Sequence, residues 1–390
     1  MSLSSGPAGR QAHRFSEPSS QARTTPSLTG KIKIAMRTQA SPEARPRQQI
    51  EALDALVVAG ALARGRRRVA KGSLRETGPE VEHPLPGRRK APQAMLASNG
   101  VELLKAPDWQ DLDWLWHAFS TRHGGGTRSY VHANGKGELN LGFTGDDSRR
   151  TVVQNRRLLA EAVCGDPATP LITVKQIHSN VVVRVRRVGA GRTQPAKADG
   201  LVTDEPGLLL AIMTADCIPV LVADRRLRAV GAFHAGWRGT VKRIVECGVG
   251  RMRLEFGSRP EDLEAAIGPG IGACCYSVGE EVQAAFDSQF GYARELFTEV
   301  YDPDPVRLKY PMLFLNQQAP GHAPAWSSMH LDLVEANRRQ LIDAGLKPER
   351  VQRVSGCTNC QNDRFFSYRA EHGRTGRMMA AIGIRNGTCE

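Results

Sequence analysis

The chain has 390 residues, 41% of them hydrophobic, which suffices for one large domain or two ordinary ones. Its formal net charge is +13, but residues 1–94 hold 17 Lys/Arg against 7 Asp/Glu, so the rest of the chain carries a net charge of only +3. Because a nucleic-acid-binding protein carries its basic surface on the folded domain, this distribution argues against nucleic acid as a partner.

The first element along the chain is an arm, residues 1–98, rich in Arg, Pro, Ser and Ala. Its apolar side chains are too few to offset the entropy cost of ordering the backbone, so we predict a disordered basic arm. A single folded domain is then expected over residues 99–386. Seven acidic residues argue against a transit peptide. An alternative interpretation of this region is that the protein begins at Met95.

The folded part begins with a strand-like run in Trp114–Gly126 that ends in a Gly-rich turn, and Val152–Val163 has helical spacing. The segment Leu171–Val188 predicts two strands around a turn at His178–Asn180. Three short apolar runs follow, and their continuous apolar character is typical of strands buried on both faces. These runs are Leu208–Met213, Ile218–Ala223 and Ala229–Phe233.

Capping residues predict two helices after these strands. Thr240 is the expected N-cap of a helix that includes Ile244, Val245 and Met252. Ser277 and Glu280 have the spacing of a capping box. The helix that follows them places apolar side chains on one face, namely Val282, Phe286 and Phe290.

The last predicted elements are a helix and a strand. Asp332 with Glu335 opens the helix, which ends at Gly345. The apolar run Met378–Ile384 is the last predicted strand. Strands and helices thus alternate without a visible repeat, and we predict one mixed α/β domain.

The cysteine content and the hydropathy of the chain indicate the cellular compartment in which the protein occurs. Eight cysteines occur in a long chain, and Cys274 and Cys275 are adjacent, which does not suit an ordinary disulfide framework. Cys357 and Cys360 form a C-x-x-C motif without a second such pair, and we interpret it as structural. No run reaches the ~18–20 apolar residues of a membrane span. We therefore expect a cytoplasmic protein without a membrane partner.

Three side chains end or interrupt the predicted strands: His178, Cys217 and His234, separated by 39 and 17 residues. Structural zinc sites usually draw their ligands from tight loops. Ligands on separate strands suit a catalytic site better, where three protein groups leave a fourth position open. Two histidines and one cysteine are a known catalytic zinc set, in which zinc lowers the pKa of its bound water.

Each of the three residues also has a structural interpretation. Cysteine is among the most buried residue types, so a cysteine such as Cys217, taken alone, is more often a core thiol than a metal ligand. A single histidine at a strand end is commonly a hydrogen-bonded structural residue. A third interpretation needs no metal, with Cys217 as a nucleophile and a neighbouring histidine as its base. The spacing alone leaves these alternatives open.

Charged residues flank these positions. Asp216 precedes Cys217 and is a candidate general acid/base or a residue that orients a histidine. Arg238 lies close before the helix expected at Thr240, and an arginine beside a helix N-terminus makes an anion site for phosphate or carboxylate. Arg122 precedes the Gly-rich turn and is a second candidate for substrate binding. The structural alternative for each arginine is a surface ion pair.

Seven segments together resemble the YfiH, or laccase-domain, family over about Trp114–Ile384. They are "FSTRHGG", "LNLG", "QIHSN", "ADGLVTDEPGLLLAIMTADCIPVLVAD", "VGAFHAGWRGTVKRIVE", "AAIGPGIGACCYSVGEEV" and "RFFSYRAEHGRTGRMMAAIGI". The resemblance implies a layered α/β/β/α sandwich with mixed β-sheets, related to a toxin deamidase domain. It makes residues 99–386 a catalytic domain, and Arg122 falls on the family's arginine.

The resemblance also implies a zinc site on His178, Cys217 and His234, the residues already chosen from spacing. It implies phosphorolysis of purine nucleosides (adenosine, inosine, guanosine and methylthioadenosine) with phosphate as the second substrate, together with hydrolytic deamination of adenosine. The family's older name implies a copper-dependent polyphenol oxidase instead. A trinuclear copper cluster with a blue copper site needs about ten clustered histidines, and the whole chain has ten. A non-catalytic nucleoside- or metal-binding module is the remaining alternative.

Overall fold

The computed structural model of the chain describes residues 93–130, 137–187, 195–301 and 327–386. All of them belong to the second of two units into which the chain divides, Thr77–Glu390. Most of the predicted arm lies outside the described residues. Its last part, however, contains a strand, Gln93–Leu96, so the described fold begins earlier than the predicted boundary at residue 99.

The described residues form sixteen strands. In chain order they are Gln93–Leu96 (β1), Glu102–Lys105 (β2), Leu115–Ser120 (β3), His123–Thr127 (β4), Leu171–Ile172 (β5), Val182–Arg184 (β6), Gly200–Thr203 (β7), Leu209–Thr214 (β8), Ile218–Asp224 (β9), Ala229–Ala235 (β10), Leu263–Ile267 (β11), Ser277–Val278 (β12), Phe297–Tyr301 (β13), Ser327–Leu331 (β14), Val351–Arg353 (β15) and Met378–Ile384 (β16). The three central apolar runs and the final run are strands, as predicted.

Two six-stranded sheets carry the fold. The first has the order β1-β2-β3-β16-β8-β5 and is antiparallel except for the pair β5 and β8. The second has the order β15-β11-β9-β10-β7-β6, with parallel pairs at both edges, β11 with β15 and β6 with β7. A small third sheet joins β12, β14 and β13. The chain passes from the first sheet to the second between β5 and β6 and again between β8 and β9, and it returns between β7 and β8 and between β15 and β16.

Alternation of side chains explains why the central strands are apolar throughout. Along β8, Leu210 and Ile212 lie in the core between the two sheets, whereas Leu209 and Ala211 lie in the core on the outer face. Because successive side chains point to opposite faces, a strand covered on both sides needs apolar residues at every position. The same alternation occurs in β9, where every residue is buried.

Helices cover the outer faces of the sheets. They are Arg149–Cys164 (α1), Trp237–Val241 (α2), Ile244–Phe256 (α3), Glu280–Asp287 (α4) and Leu333–Asp343 (α5). Leu159 of α1 packs in the outer core of the first sheet, and Met252 of α3 packs in that of the second. The layers are therefore helix, sheet, sheet and helix. This mixed α/β sandwich is the fold class predicted from the sequence.

Helix starts agree with the sequence only in part. Asp332 caps α5, accepting a hydrogen bond from the backbone N–H of Glu335 at 2.9 Å, as predicted. Thr240 is not an N-cap: it lies inside α2, and its hydroxyl accepts a hydrogen bond from the Asn337 side chain instead. The longer helix α3 begins only after Arg243, whose left-handed backbone (φ 62°) separates it from α2.

Two further local predictions are wrong. Ser277 belongs to β12, and α4 is capped by Gly279 without a side-chain hydrogen bond, so the expected capping box does not form. The Gly-rich segment after Arg122 is not only a turn but the short strand β4. Its glycines allow close backbone approach, since a Cβ at Gly125 would lie 2.3 Å from the carbonyl oxygen of Glu138. Among the described helices, none is long and apolar enough to span a membrane.

Candidate metal centre

His178, Cys217 and His234 come from three different parts of the chain but meet at one end of the second sheet. Cys217 immediately precedes β9, and His234 lies near the end of β10. Since β9 and β10 are antiparallel with His234 opposite Pro219, the start of one strand lies beside the end of the other. His178 reaches the same place from the turn before β6, where its backbone is left-handed (φ 55°).

The three side chains are close enough to share one ion. Their donor atoms all lie within 4.8 Å of one another, and the imidazole rings of His178 and His234 have centroids 5.0 Å apart. His234 is buried, Cys217 is half-buried and His178 is exposed. The group therefore lies at the protein surface, with one side open to solvent.

Asp199 holds the two histidine-bearing segments together. Its Oδ1 accepts hydrogen bonds from the backbone N–H of His178 (3.0 Å) and from Nδ1 of His234 (2.9 Å). Its Oδ2 accepts from the backbone N–H (2.6 Å) and the hydroxyl (2.7 Å) of Ser179. With Nδ1 of His234 committed to a carboxylate, Nε2 is the nitrogen left for a metal, the arrangement usual for metal-binding histidines.

Sequence reasoning did not identify Asp199. It immediately precedes β7, and its partners lie 20 to 35 residues away along the chain. No spacing rule connects such positions. The one available signal is its place just before an apolar strand, the same signal that singled out His178 and Cys217.

The electrostatics favour a thiolate. Burial by itself raises the pKa of the Cys217 thiol, but the charges and hydrogen bonds of His234 and His178 outweigh it and lower the pKa to about 6. Burial lowers the pKa of His234, but the Cys217 sulfur and the Asp199 carboxylate outweigh it and raise the pKa to about 9. The thiolate is the form of cysteine that binds metals, so Cys217 is prepared for this role.

Close packing around the sulfur depends on a glycine. A Cβ placed on Gly236 would lie 2.8 Å from the Cys217 sulfur and 3.3 Å from Cδ2 of His178. Side chains do not approach this closely, so any larger residue would displace the sulfur. This requirement explains a glycine two residues after His234.

The donor set fits a zinc ion. One sulfur and two imidazole nitrogens converge, and three protein ligands with an open fourth position are the pattern of catalytic zinc. Imidazole suits copper as well as zinc, and thiolate suits zinc and Cu(I). The side chains therefore define a metal-binding arrangement without choosing between these metals.

Asp216 lies beside the three residues but does not orient a histidine within the described contacts. Its Oδ1 accepts a hydrogen bond from the Thr358 hydroxyl at 2.6 Å, and its Oδ2 accepts one from the backbone N–H of Arg369 at 2.7 Å. The orienting role belongs to Asp199. Burial raises the pKa of Asp216, although these hydrogen bonds oppose the increase.

Arg122 is placed differently from the prediction. Its side chain is fully buried, forms ion pairs with Glu138 (2.7 Å) and Glu371 (3.0 Å), and stacks 4.5 Å above the Phe366 ring. It also donates to the carbonyl oxygens of Tyr130, Phe365 and Asn362. Donors committed in this way cannot also bind a substrate, so the structure makes Arg122 a structural residue.

Arg238 stays near the candidate centre. Its guanidinium lies 4.3 Å from the Trp237 ring centroid, and the residue as a whole is half-buried. Arg238 lies inside α2, and not before a helix start at Thr240 as expected from the sequence. Tyr276 is a neighbour that the sequence did not indicate. Burial raises its pKa, and the Cys217 sulfur adds to this effect, whereas Arg238 opposes it.

Comparison with known proteins places this site in a context. Residues 116–385 match the family model described as multi-copper polyphenol oxidoreductase laccase. A purine nucleoside phosphorylase of Deinococcus radiodurans is 38% identical over 289 residues, covering 74% of this chain and 95% of that protein. A protein named adenosine deaminase RL5, from an unknown prokaryotic organism, is 30% identical, covering 68% of this chain and 92% of its own. The crystal structure of YfiH from Bacillus licheniformis aligns with a TM-score of 0.59 at 30% identity, covering 73% of this chain and 96% of that one.

Proposed function

This chain belongs to the multi-copper polyphenol oxidoreductase laccase family, and from that premise we propose that it is a zinc-dependent purine nucleoside phosphorylase that also deaminates adenosine. The expected nucleosides are adenosine, inosine, guanosine and methylthioadenosine. Relatives named purine nucleoside phosphorylase and adenosine deaminase support both activities. Residues 99–386 are the proposed catalytic domain. The seven cysteines among the described residues are free, which supports a reducing, cytoplasmic location.

The observation that carries the proposal is the convergence of His178, Cys217 and His234 at a surface with one open side. These three residues would hold the zinc ion. When bound there, zinc supplies Lewis acidity and lowers the pKa of a coordinated water to near neutrality. Asp199 acts as a positioning residue, since it fixes the His234 ring and the backbone of His178 through the same carboxylate.

Phosphorolysis requires phosphate to bind beside the anomeric carbon of the nucleoside. Phosphate forms the new bond to this carbon, the glycosidic bond breaks, and its electron pair leaves with the purine, which takes up a proton on a ring nitrogen. Arg238 is the proposed phosphate contact, because a half-buried guanidinium attracts an anion more strongly than an exposed one. Asp216 is the proposed proton carrier at this site.

The proposed deamination takes place at the same metal centre with a different nucleophile. Water adds to the purine carbon that bears the amino group, the carbon–nitrogen bond breaks, and ammonia leaves after taking up a proton. The proposed proton carrier is again Asp216, next to Cys217 in the chain. In this proposal one site serves both reactions, with phosphate or water as the nucleophile.

The test incubates the purified chain with inosine and phosphate, and follows hypoxanthine and ribose 1-phosphate. Adenosine without phosphate is followed for inosine and ammonia. Cys217→Ala should abolish both activities and lose the metal of the candidate centre, while Cys247→Ala, at a cysteine outside this centre, should retain both activities. Absence of product from every purine nucleoside, under conditions in which a known phosphorylase turns over, would refute the proposal.

A copper-dependent polyphenol oxidase is the second candidate, because the description of the matching family names that activity. Copper in the metal analysis together with oxygen uptake on phenols would favour it over the phosphorylase. Metal without turnover of either kind of substrate would favour a nucleoside- or metal-binding module. The same preparations therefore distinguish all three functions.

A further inference from the structure

Four cysteines that play no part in the candidate centre form a second group of metal donors. Cys274 and Cys275 follow β11, and Cys357 and Cys360 follow β15. Because β11 and β15 are parallel neighbours, the segments after them leave the sheet at the same edge. The C-x-x-C motif, which has no second such pair in the sequence, thus finds its partners in an adjacent pair from another loop.

The four sulfurs lie within 4.8 Å of one another. The Cys360 sulfur is 3.4 Å from that of Cys274 and 3.2 Å from that of Cys275. A tetrahedral zinc site with Zn–S bonds of about 2.3 Å has sulfurs about 3.8 Å apart. The four sulfurs are therefore close enough to bind a single ion after shifts of about half an ångström.

Backbone groups around the cluster complete the pattern. The backbone N–H of Gly272 donates to the Cys357 sulfur at 3.2 Å, and the backbone N–H of Cys360 also bonds to it. Such hydrogen bonds stabilise a thiolate and orient it towards a metal. His330 supports the loop from outside, with its Nδ1 2.6 Å from the carbonyl oxygen of Ala273.

We propose that Cys274, Cys275, Cys357 and Cys360 bind one structural zinc ion, separate from the candidate catalytic metal. Four thiolates leave no open position, which is the mark of a structural site. A cluster of two or four irons would spread its four cysteines further apart, since they are divided among more than one iron. Binding releases the remaining thiol protons to solvent, so the affinity falls as the pH is lowered.

This second ion would join two loops that both support Asp216. Ile271, three residues before Cys274, donates its backbone N–H to the carbonyl oxygen of Asp216 at 2.8 Å. Thr358, which follows Cys357, donates its hydroxyl to the Asp216 carboxylate and its backbone N–H to Gly270. The structural ion therefore fixes the segment that carries Cys217 into the candidate centre.

The experiment measures zinc per chain by plasma mass spectrometry on the full chain purified without chelators. The wild type should carry one zinc more than Cys274→Ser/Cys360→Ser, and Cys217→Ala should keep the ion of the four-cysteine site. The difference between the wild type and the double variant tests this inference alone. The difference between the wild type and Cys217→Ala tests the proposed catalytic metal, so the two can fail separately.

Cys247→Ser is the matched control and should leave the zinc content unchanged. If the double variant does not fold, X-ray absorption at the zinc edge of Cys217→Ala tests the inference instead. We expect four sulfur ligands at about 2.3 Å from the zinc. Cobalt substitution of the same variant should give the intense visible bands of tetrahedral thiolate coordination. Equal zinc in the wild type and the double variant, or a disulfide among the four cysteines with no metal in Cys217→Ala, would overturn the inference.

Discussion

Replacing Asp199 by asparagine tests whether its carboxylate organises the metal centre. The substitution keeps the shape of the side chain but exchanges one acceptor oxygen for an NH2 group. The backbone N–H of Ile177 is shared between the two Asp199 oxygens. Beyond this shared bond, one oxygen accepts from His178 and His234, and the other accepts twice from Ser179. In either orientation of the asparagine amide, its NH2 group faces two N–H or O–H donors that the carboxylate oxygen accepted before.

The magnitude follows from these contacts. A hydrogen bond to a charged group contributes about 1.5–3 kcal/mol, so the loss of two lowers the free energy of unfolding by about 3–6 kcal/mol. Loss of a carboxylate behind a metal-binding histidine weakens metal affinity by about 10–100-fold. The catalytic efficiency of the proposed phosphorylase should fall in parallel.

The assay is a zinc titration in competition with a chelator of known affinity, at constant pH, together with urea unfolding. Asp204→Asn is the control, because Asp204 forms an exposed ion pair with Arg184 at 2.9 Å and makes no contact with the candidate centre. It should leave zinc affinity unchanged. An Asp199→Asn protein that keeps the zinc affinity and stability of the wild type would refute the reasoning.

Three further predictions follow from buried groups. Gly236→Ala should abolish metal binding at the candidate centre, measured as zinc per chain, because the new Cβ would lie 2.8 Å from the Cys217 sulfur; unchanged zinc would show that the packing can relax. Arg122→Met should lower the free energy of unfolding by about 3–5 kcal/mol in urea, because it removes the buried cation that forms ion pairs with Glu138 and Glu371; unchanged stability with a raised KM would restore the substrate contact predicted from sequence. Burial lowers the pKa of His117 from 6.5 to about 3 in the folded protein. As the pH falls, the histidine of the unfolded chain therefore takes up a proton before that of the folded protein, and this favours unfolding. Stability should therefore fall by about 1.4 kcal/mol per pH unit below pH 6.5, levelling off near pH 3, and His117→Leu should remove this part of the slope in acid-unfolding curves.

The sequence alone determined the central strands and three residues of the candidate centre. Continuous apolar runs predict strands buried on both faces, because only such strands need an apolar side chain at every position. His178, Cys217 and His234 were recognisable because each is a metal-donor residue at the end of such a run. The cap at Asp332 was recognisable for a similar reason, since its hydrogen bond joins residues only three apart in the chain.

Tertiary structure decided the roles of those residues whose partners lie far away in the sequence. Arg122 has the same local sequence whether it binds phosphate or two carboxylates, and only folding brings Glu138 and Glu371 to it. Asp199 orients His178 and His234, which lie in other parts of the chain and reach it only in the folded structure. The four cysteines meet because β11 and β15 are parallel neighbours, a pairing between segments more than 80 residues apart in sequence. Local spacing encodes interactions within a turn or a strand, whereas convergence of side chains across the sheet depends on which strands pair.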